Sequence, residues 1–519
     1  RGVSPASPEG GPVNRQVRRV GLVVVGCFVA LFLQLNYLQV IRADSLATDA
    51  RNVRAVKRAF SDPRGEIVTV DGAIVARSEP VDDQYERLRT YPSGPLFAHV
   101  SGFFSFNYGA SAVEDAYNTD LSGKTPDQQF RNLGDWLIGK EPTGDVVLSL
   151  RNAAQEAARE ALGDRRGSVV VLDPSTGEVV ALWSNPSYDP APLASHDLRA
   201  AGDAFDGYTA DPTNPMLARA YRERYAPGST FKVVTAATAI DTGTAGPDTG
   251  YPSLRSLDLP QSDKQLRNFG GSVCGGSMAE SFRRSCNTTF GQIGLDLGEK
   301  LIDGMRAFGI GEDVPFDLPE ARSGGPAPGT FERNKPSFAN AAIGQGDIAV
   351  TPLQMATVAA AIANGGVLMA PHVVREVRDE DGQVIRRIGP DEWKRAVSPT
   401  TAAAVTSMMV SVVRAGTGTA AAVPGHTVAG KTGTAEAPGG PPHAWFIGFA
   451  PAEAPRFAIA VIVERGGDIG DEATGGRVAA PVAGRVLGAV LALPATPSPS
   501  PRGEEKPTST TAGPRSGGR

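Results

Sequence analysis

The 519-residue chain is poor in the residues that bind metals. It has 3 cysteines and 5 histidines, and the histidines stand singly. No H-x-x-x-H pair and no Cys/His cluster is present, so neither a metal centre nor a cofactor is expected. An excess of basic charge is also missing. Lys and Arg number 51 against 56 Asp and Glu, for a net charge of -5 and a pI of about 5.7. That balance gives no support to nucleic acid as a partner. No internal repeat is found, and no second apolar run long enough to cross a bilayer follows the first. The chain does have length for two or three domains and 41% hydrophobic residues with which to fill their cores.

Taken in order, the chain opens on a stretch rich in Gly, Pro and Ser. Residues 1–19 read as a disordered cytoplasmic leader. Residues 20–40, VGLVVVGCFVALFLQLNYLQV, are almost wholly apolar and match one bilayer crossing. A cleaved signal peptide is the rival reading, but Ala43-Asp44-Ser45 is a poor cleavage site, which favours an uncleaved anchor. Arg15, Arg18 and Arg19 precede the run, while Arg42, Arg51, Arg54, Lys57 and Arg58 follow it, so flanking charge does not set its orientation. Residues 41–165 form a first region. It has a hairpin between Pro63 and Ala76 turned at Asp71-Gly72, a strand over 145–150 and a helix over 153–162. From residue 166 the texture changes. Two apolar strands flank Asp173-Pro174-Ser175-Thr176-Gly177, helical patterns follow from Ser229 (278–297 and 352–364 among them), and strands return at 427–429, 444–450 and 457–463. Strands, helices, then strands predict an α+β domain over 166–493 with both ends in one antiparallel sheet. Residues 494–519 read as a disordered tail.

Three short motifs carry the chemistry. In Tyr225-Ala226-Pro227-Gly228-Ser229-Thr230-Phe231-Lys232 a serine precedes a lysine by three positions, just before an apolar helical run. Positions i and i+3 share a helix face, so the Lys232 amine can reach the Ser229 hydroxyl. A serine is a poor nucleophile until a base takes its proton, and a lysine is a base only when burial or nearby positive charge lowers its pKa. The helix start adds free N–H groups suited to developing negative charge. Alone the motif is weak, because serines are common at helix starts. Ser285-Cys286-Asn287 and Lys431-Thr432-Gly433-Thr434 follow in order. The set S-x-x-K, S-x-N, K-T-G is that of enzymes whose serine attacks an amide carbonyl. Ser285 and Asn287 as ordinary caps, and Lys431 as a solvated strand lysine, are the competing readings. Trp445 and Phe446 read as core, and His443 as a surface or cleft residue.

With its apolar anchor, Pro63-Arg64-Gly65-Glu66-Ile67, Asp173-Pro174-Ser175-Thr176-Gly177, Asn185-Pro186-Ser187-Tyr188-Asp189-Pro190 and Ile343-Gly344-Gln345-Gly346, the chain resembles the class B penicillin-binding proteins. Within them it resembles the actinobacterial penicillin-binding protein A group. The resemblance runs from Arg15 to about Leu493 and leaves no room for a glycosyltransferase domain. It implies a penicillin-binding, serine β-lactamase-like transpeptidase domain over 166–493, an N-terminal pedestal or dimerisation-like domain over 41–165 and one transmembrane helix. It also implies a peptidoglycan D,D-transpeptidase for growth or division, acylated by β-lactams, with its body outside the plasma membrane. Ser229 would be the nucleophile, Lys232 the base, and Ser285 a proton relay to the leaving amine. Asn287 would hold Lys232. Lys431 would add positive charge, and Thr432 and Thr434 would bind the donor carboxylate. Gly433 would leave the strand bare for substrate backbone, and the N–H groups of Ser229 and Thr434 would form the oxyanion hole. Partners implied are peptidoglycan stem peptides, β-lactams and a membrane glycosyltransferase of the divisome or elongasome.

An oxidising compartment makes a Cys274–Cys286 disulfide plausible, beside a buried free Cys286 or a second nucleophilic thiol. Other functions compete. A D,D-carboxypeptidase needs only water as acceptor. A β-lactamase needs a deacylating carboxylate, and no E-x-x-L-N motif is found. A non-catalytic scaffold or β-lactam sensor is disfavoured by the intact motif set and by the lack of a signalling domain.

Overall fold

The computed structural model describes residues 12–42, 57–58, 60–126, 128, 143–327, 329 and 334–494. The expected leader and tail fall largely outside them, at 1–11 and 495–519. The N-terminal apolar run forms the α-helix Pro12–Asn36, continued by one π-helical turn, Tyr37–Ile41. Its span Gln16–Gln39 is 24 residues, about 36 Å at 1.5 Å per residue, and a bilayer core is about 30 Å thick. Leu22 and Phe28 stay 66% and 68% exposed, so this helix has no protein core to serve. It is the one described helix long and apolar enough to cross a membrane.

The N-terminal region is built on a six-stranded sheet in the order Val384–Arg387, Val374–Asp379, Gly144–Leu148, Ile67–Val68, Ile74–Pro80, Arg87–Thr90. The expected hairpin is present: Ile67–Val68 runs antiparallel to Ile74–Pro80. The first two strands of the sheet come from far downstream, inside the segment expected to form the second domain. Val374–Asp379 pairs antiparallel with Gly144–Leu148. The two regions therefore share a sheet and one continuous hydrophobic core. Nothing in the local pattern at 374–387 announces this, since strand pairing at long sequence separation is fixed by tertiary packing.

The second sheet has five antiparallel strands in the order Ala429–Ala437, Gly440–Ala450, Phe457–Val463, Gly167–Leu172, Val179–Asn185. Every residue of Gly167–Leu172 and Phe457–Val463 is buried, so both faces of the sheet are covered. Helices Pro352–Ala363, Ala479–Ala492 and Asn152–Leu162 pack against it. The first starts at Thr351, whose side chain accepts from the Gln354 N–H at 3.0 Å, with proline in the first turn. Trp445 and Phe446 lie in the core. The order leaves Ala429–Ala437 at the sheet edge, against the turn Gly228–Phe231.

The stretch 278–297 reads as one helical pattern but is two helices, Met278–Arg284 and Asn287–Leu297. The break falls at Ser285, which takes φ +64° and ψ 40°, a left-handed conformation that closes the first helix. The S-x-N motif is that break.

Candidate active site

Ser229 lies in the 3-10 turn Gly228–Phe231, which runs directly into the helix Lys232–Asp241. Val233, Val234, Ala236, Ala237 and Ala239 are fully buried, which anchors the helix in the core. The turn is pinned from several sides. Tyr225 and Val350 exchange two backbone hydrogen bonds of 2.9 Å, the Gly228 N–H donates to Gly344 O at 2.9 Å, and Trp445 Nε1 donates to Ala226 O at 3.1 Å. Gly228 has φ +53°, and a Cβ there would stand 2.6 Å from Thr434 O. Only glycine lets the nucleophile turn approach the strand so closely.

Lys232, Ser285, Asn287 and Lys431 meet at one point. The Lys232 amine donates to Ser285 O at 2.8 Å, to Asn287 Oδ1 at 2.8 Å and to Ser285 Oγ at 3.4 Å. The Lys431 amine donates to the same Ser285 hydroxyl at 2.9 Å and to Thr432 O at 2.9 Å. Both lysines are fully buried. Burial pushes the Lys232 ammonium well below the ordinary lysine value, and the charge of Lys431 pushes it further. Burial brings Lys431 down to about 7. A Ser229–Lys232 hydrogen bond, expected from their spacing, is absent among the described residues. A buried amine is drawn to full acceptors, and the Ser285 carbonyl and Asn287 amide supply them.

Ser229, Ser285, Asn287, Thr432, Gly433 and Thr434 line one cleft of about 460 Å³. The Thr432 hydroxyl contacts that of Thr417 at 2.6 Å, and Thr434 Oγ1 accepts from the Gly475 N–H at 3.4 Å. A Cβ at Gly433 would meet Pro227 O at 2.8 Å and Thr230 Cγ2 at 2.9 Å, beside the nucleophile. The glycine serves the packing of the strand on the Ser229 turn.

Cys274 and Cys286 are joined in a disulfide, Cα atoms 5.5 Å apart, leaving no thiol beside Ser229. His443 is half-buried, its ring edge-on to Tyr225 and its Nδ1 accepting from the Arg465 N–H at 3.2 Å. Sequence reasoning missed two supports. Glu464 accepts from Tyr225 OH at 2.7 Å and from the buried Arg219 at 3.0 Å, tying the end of the sheet to the start of the nucleophile turn. Asn268, buried beside the S-x-N break, bonds the Asn287 N–H at 2.8 Å. Glu464 lies more than 200 residues from both its partners, and Asn268 sits in a Gly-rich loop that reads as an ordinary turn.

The profile of the penicillin-binding protein transpeptidase domain matches residues 167–488, and that of the penicillin-binding protein A dimerisation domain matches 64–147. The chain belongs to the penicillin-binding protein transpeptidase family. A relative named peptidoglycan D,D-transpeptidase PbpA, from Mycolicibacterium smegmatis, is 40% identical over 497 residues, covering 92% of this chain and 99% of the relative. The protein of that name from Mycobacterium tuberculosis is 39% identical over the same shares. The solved structure of M. tuberculosis penicillin-binding protein A as a ceftriaxone acyl-enzyme complex superimposes with a TM-score of 0.79 at 39% identity, covering 84% of this chain and all of that one.

Proposed function

We propose that the chain is a peptidoglycan D,D-transpeptidase working through a Ser229 acyl-enzyme, and that β-lactams acylate the same serine. The observation that carries this reading is the meeting of two depressed lysines on one serine hydroxyl inside the cleft that Ser229 lines. Ser229 Oγ attacks the carbonyl of the penultimate D-Ala of a stem peptide, and its proton passes to neutral Lys232. The oxyanion is held by the N–H groups of Ser229 and Thr434, worth about 3–4 kcal/mol per donor in such sites. The C–N bond then breaks. The departing D-Ala amine takes its proton through the Ser285 hydroxyl, which both lysines contact. The amine of a neighbouring stem peptide attacks the ester, loses its proton by the reverse route and frees Ser229. Thr432 and Thr434 bind the donor carboxylate, Lys431 supplies positive charge toward it, and Asn287 fixes Lys232.

The N-terminal helix supports a single-pass protein, and the cell-wall peptide chemistry supports a catalytic body on the outer face of the plasma membrane. A membrane glycosyltransferase of the growth or division machinery is the matching partner, since this domain joins peptides but lengthens no glycan strand. The test uses a D-Ala-D-Ala stem-peptide donor with an amine acceptor. The wild type is expected to release D-Ala and form the cross-linked peptide, and Ser229→Ala to form neither. Hydrolysed donor as the only product would contradict transpeptidation.

A further inference from the structure

We propose that Asn268, outside all three motifs, is a positioning residue for the catalytic lysine and acts through Asn287. The proposal rests on the role given above to Lys232. The helix Asn287–Leu297 opens with N–H groups that need acceptors, and its N-cap residue, Cys286, makes no side-chain cap bond. Asn268 supplies the cap from 19 residues upstream. Its Oδ1 accepts from the Asn287 N–H at 2.8 Å, the Thr288 N–H at 3.0 Å and the Thr288 hydroxyl at 3.2 Å. Its Nδ2 donates to Leu254 O at 2.8 Å and Ser272 O at 3.1 Å. The residue is 5% exposed and both ends of its amide are engaged, so its role is internal and not that of a ligand.

The neighbouring residue completes the clamp. Asn287 Nδ2 donates to Arg267 O at 3.0 Å. A carbonyl oxygen only accepts, so this bond decides which end of the Asn287 amide faces the other way. That end is Oδ1, and it receives the Lys232 amine at 2.8 Å. Residues 267 and 268 thus fix the backbone and the side chain of Asn287 together. The disulfide from Cys274 to Cys286 closes the same loop onto the same break. The left-handed Ser285 joins two short helices and cannot set the Asn287 orientation alone. The external cap removes that freedom.

The experiment is a double-mutant cycle on the full chain in detergent, reading the second-order rate of acylation by a fluorescent penicillin across pH. Asn268→Ala is expected to slow acylation at least about tenfold, equivalent to about 1.4 kcal/mol. It should also move the acidic limb of the pH profile to lower pH, because the Lys232 ammonium loses a well-placed acceptor. In an Asn287→Ala background the same substitution is expected to change the rate less than about twofold, because its route to Lys232 is already cut. A full penalty in that background, or a wild-type rate and profile for Asn268→Ala, overturns the proposal. If the alanine variant fails to fold, Asn268→Gln carries the test. It keeps a neutral amide but moves its oxygen one methylene away from the Asn287 N–H, so acylation must slow and the acidic limb must move to lower pH. An unmoved limb overturns the proposal. Ser229→Ala runs alongside: covalent labelling that survives it would refute the mechanism itself, not the role of Asn268.

Discussion

Replacing Lys431 with methionine tests whether one lysine tunes the other. Both amines contact the Ser285 hydroxyl, at 2.9 and 3.4 Å, so they lie no more than about 6 Å apart. At an effective dielectric of about 20, a unit charge at that distance disfavours a second by about 2.7 kcal/mol, or about two pH units. Lys431 itself titrates at about 7, so near neutrality it carries only part of its charge. The expected effect is therefore no larger than that full-charge figure. The sign follows from the chemistry. Acylation needs neutral Lys232, so its rate rises with pH through the Lys232 pKa. Lys431→Met removes the repulsion that lowers that pKa, and the acidic limb must move to higher pH. The fluorescent-penicillin acylation rate, measured from acid to alkaline pH, reads it directly. A limb that stays put, or moves to lower pH, would refute the coupling of the two lysines.

Three further outcomes are expected. Gly433→Ala drives a methyl group into Pro227 O and Thr230 Cγ2, so it should lower stability by about 1–3 kcal/mol by denaturant melt and also displace Ser229; an unchanged melt would place the strand less tightly than described. Reducing the Cys274–Cys286 bond opens a loop worth about 2–3 kcal/mol but lies beside Asn287, so acylation should fall by a larger factor than stability accounts for; a loss of melting temperature without loss of rate would contradict this. Removing residues 1–41 should yield a soluble protein that still binds penicillin, because the exposed apolar helix makes no core; persistent membrane association would rule out a single anchor.

Much of this was legible in the sequence, for definite physical reasons. S-x-x-K, S-x-N and K-T-G put nucleophile, amines and hydroxyls at fixed spacing, and the structure brings them to one cleft. The strands around Asp173 to Gly177 and at 457–463 showed because buried strands are continuously apolar. The long N-terminal helix showed because a continuous apolar run has the length and composition of a bilayer crossing. Other features are tertiary and left no local mark. The hairpin at 374–387 completes the N-terminal sheet from more than 200 residues away. The helix break at Ser285 lies in an unbroken helical pattern, since no glycine or proline marks it. The direction of the missing Gly433 Cβ depends on which strand face meets the Ser229 turn. Asn268 looks like any turn asparagine until the helix it caps is folded against it.

Every step of the mechanism passes through an ester on Ser229. Intact-mass measurement of the full chain after penicillin treatment, with peptide mapping of the adduct, tests it most directly. One penicilloyl adduct per chain is expected, located on Ser229 and absent from Ser229→Ala. An adduct mapped to another residue, or labelling of Ser229→Ala at the wild-type rate, would contradict it.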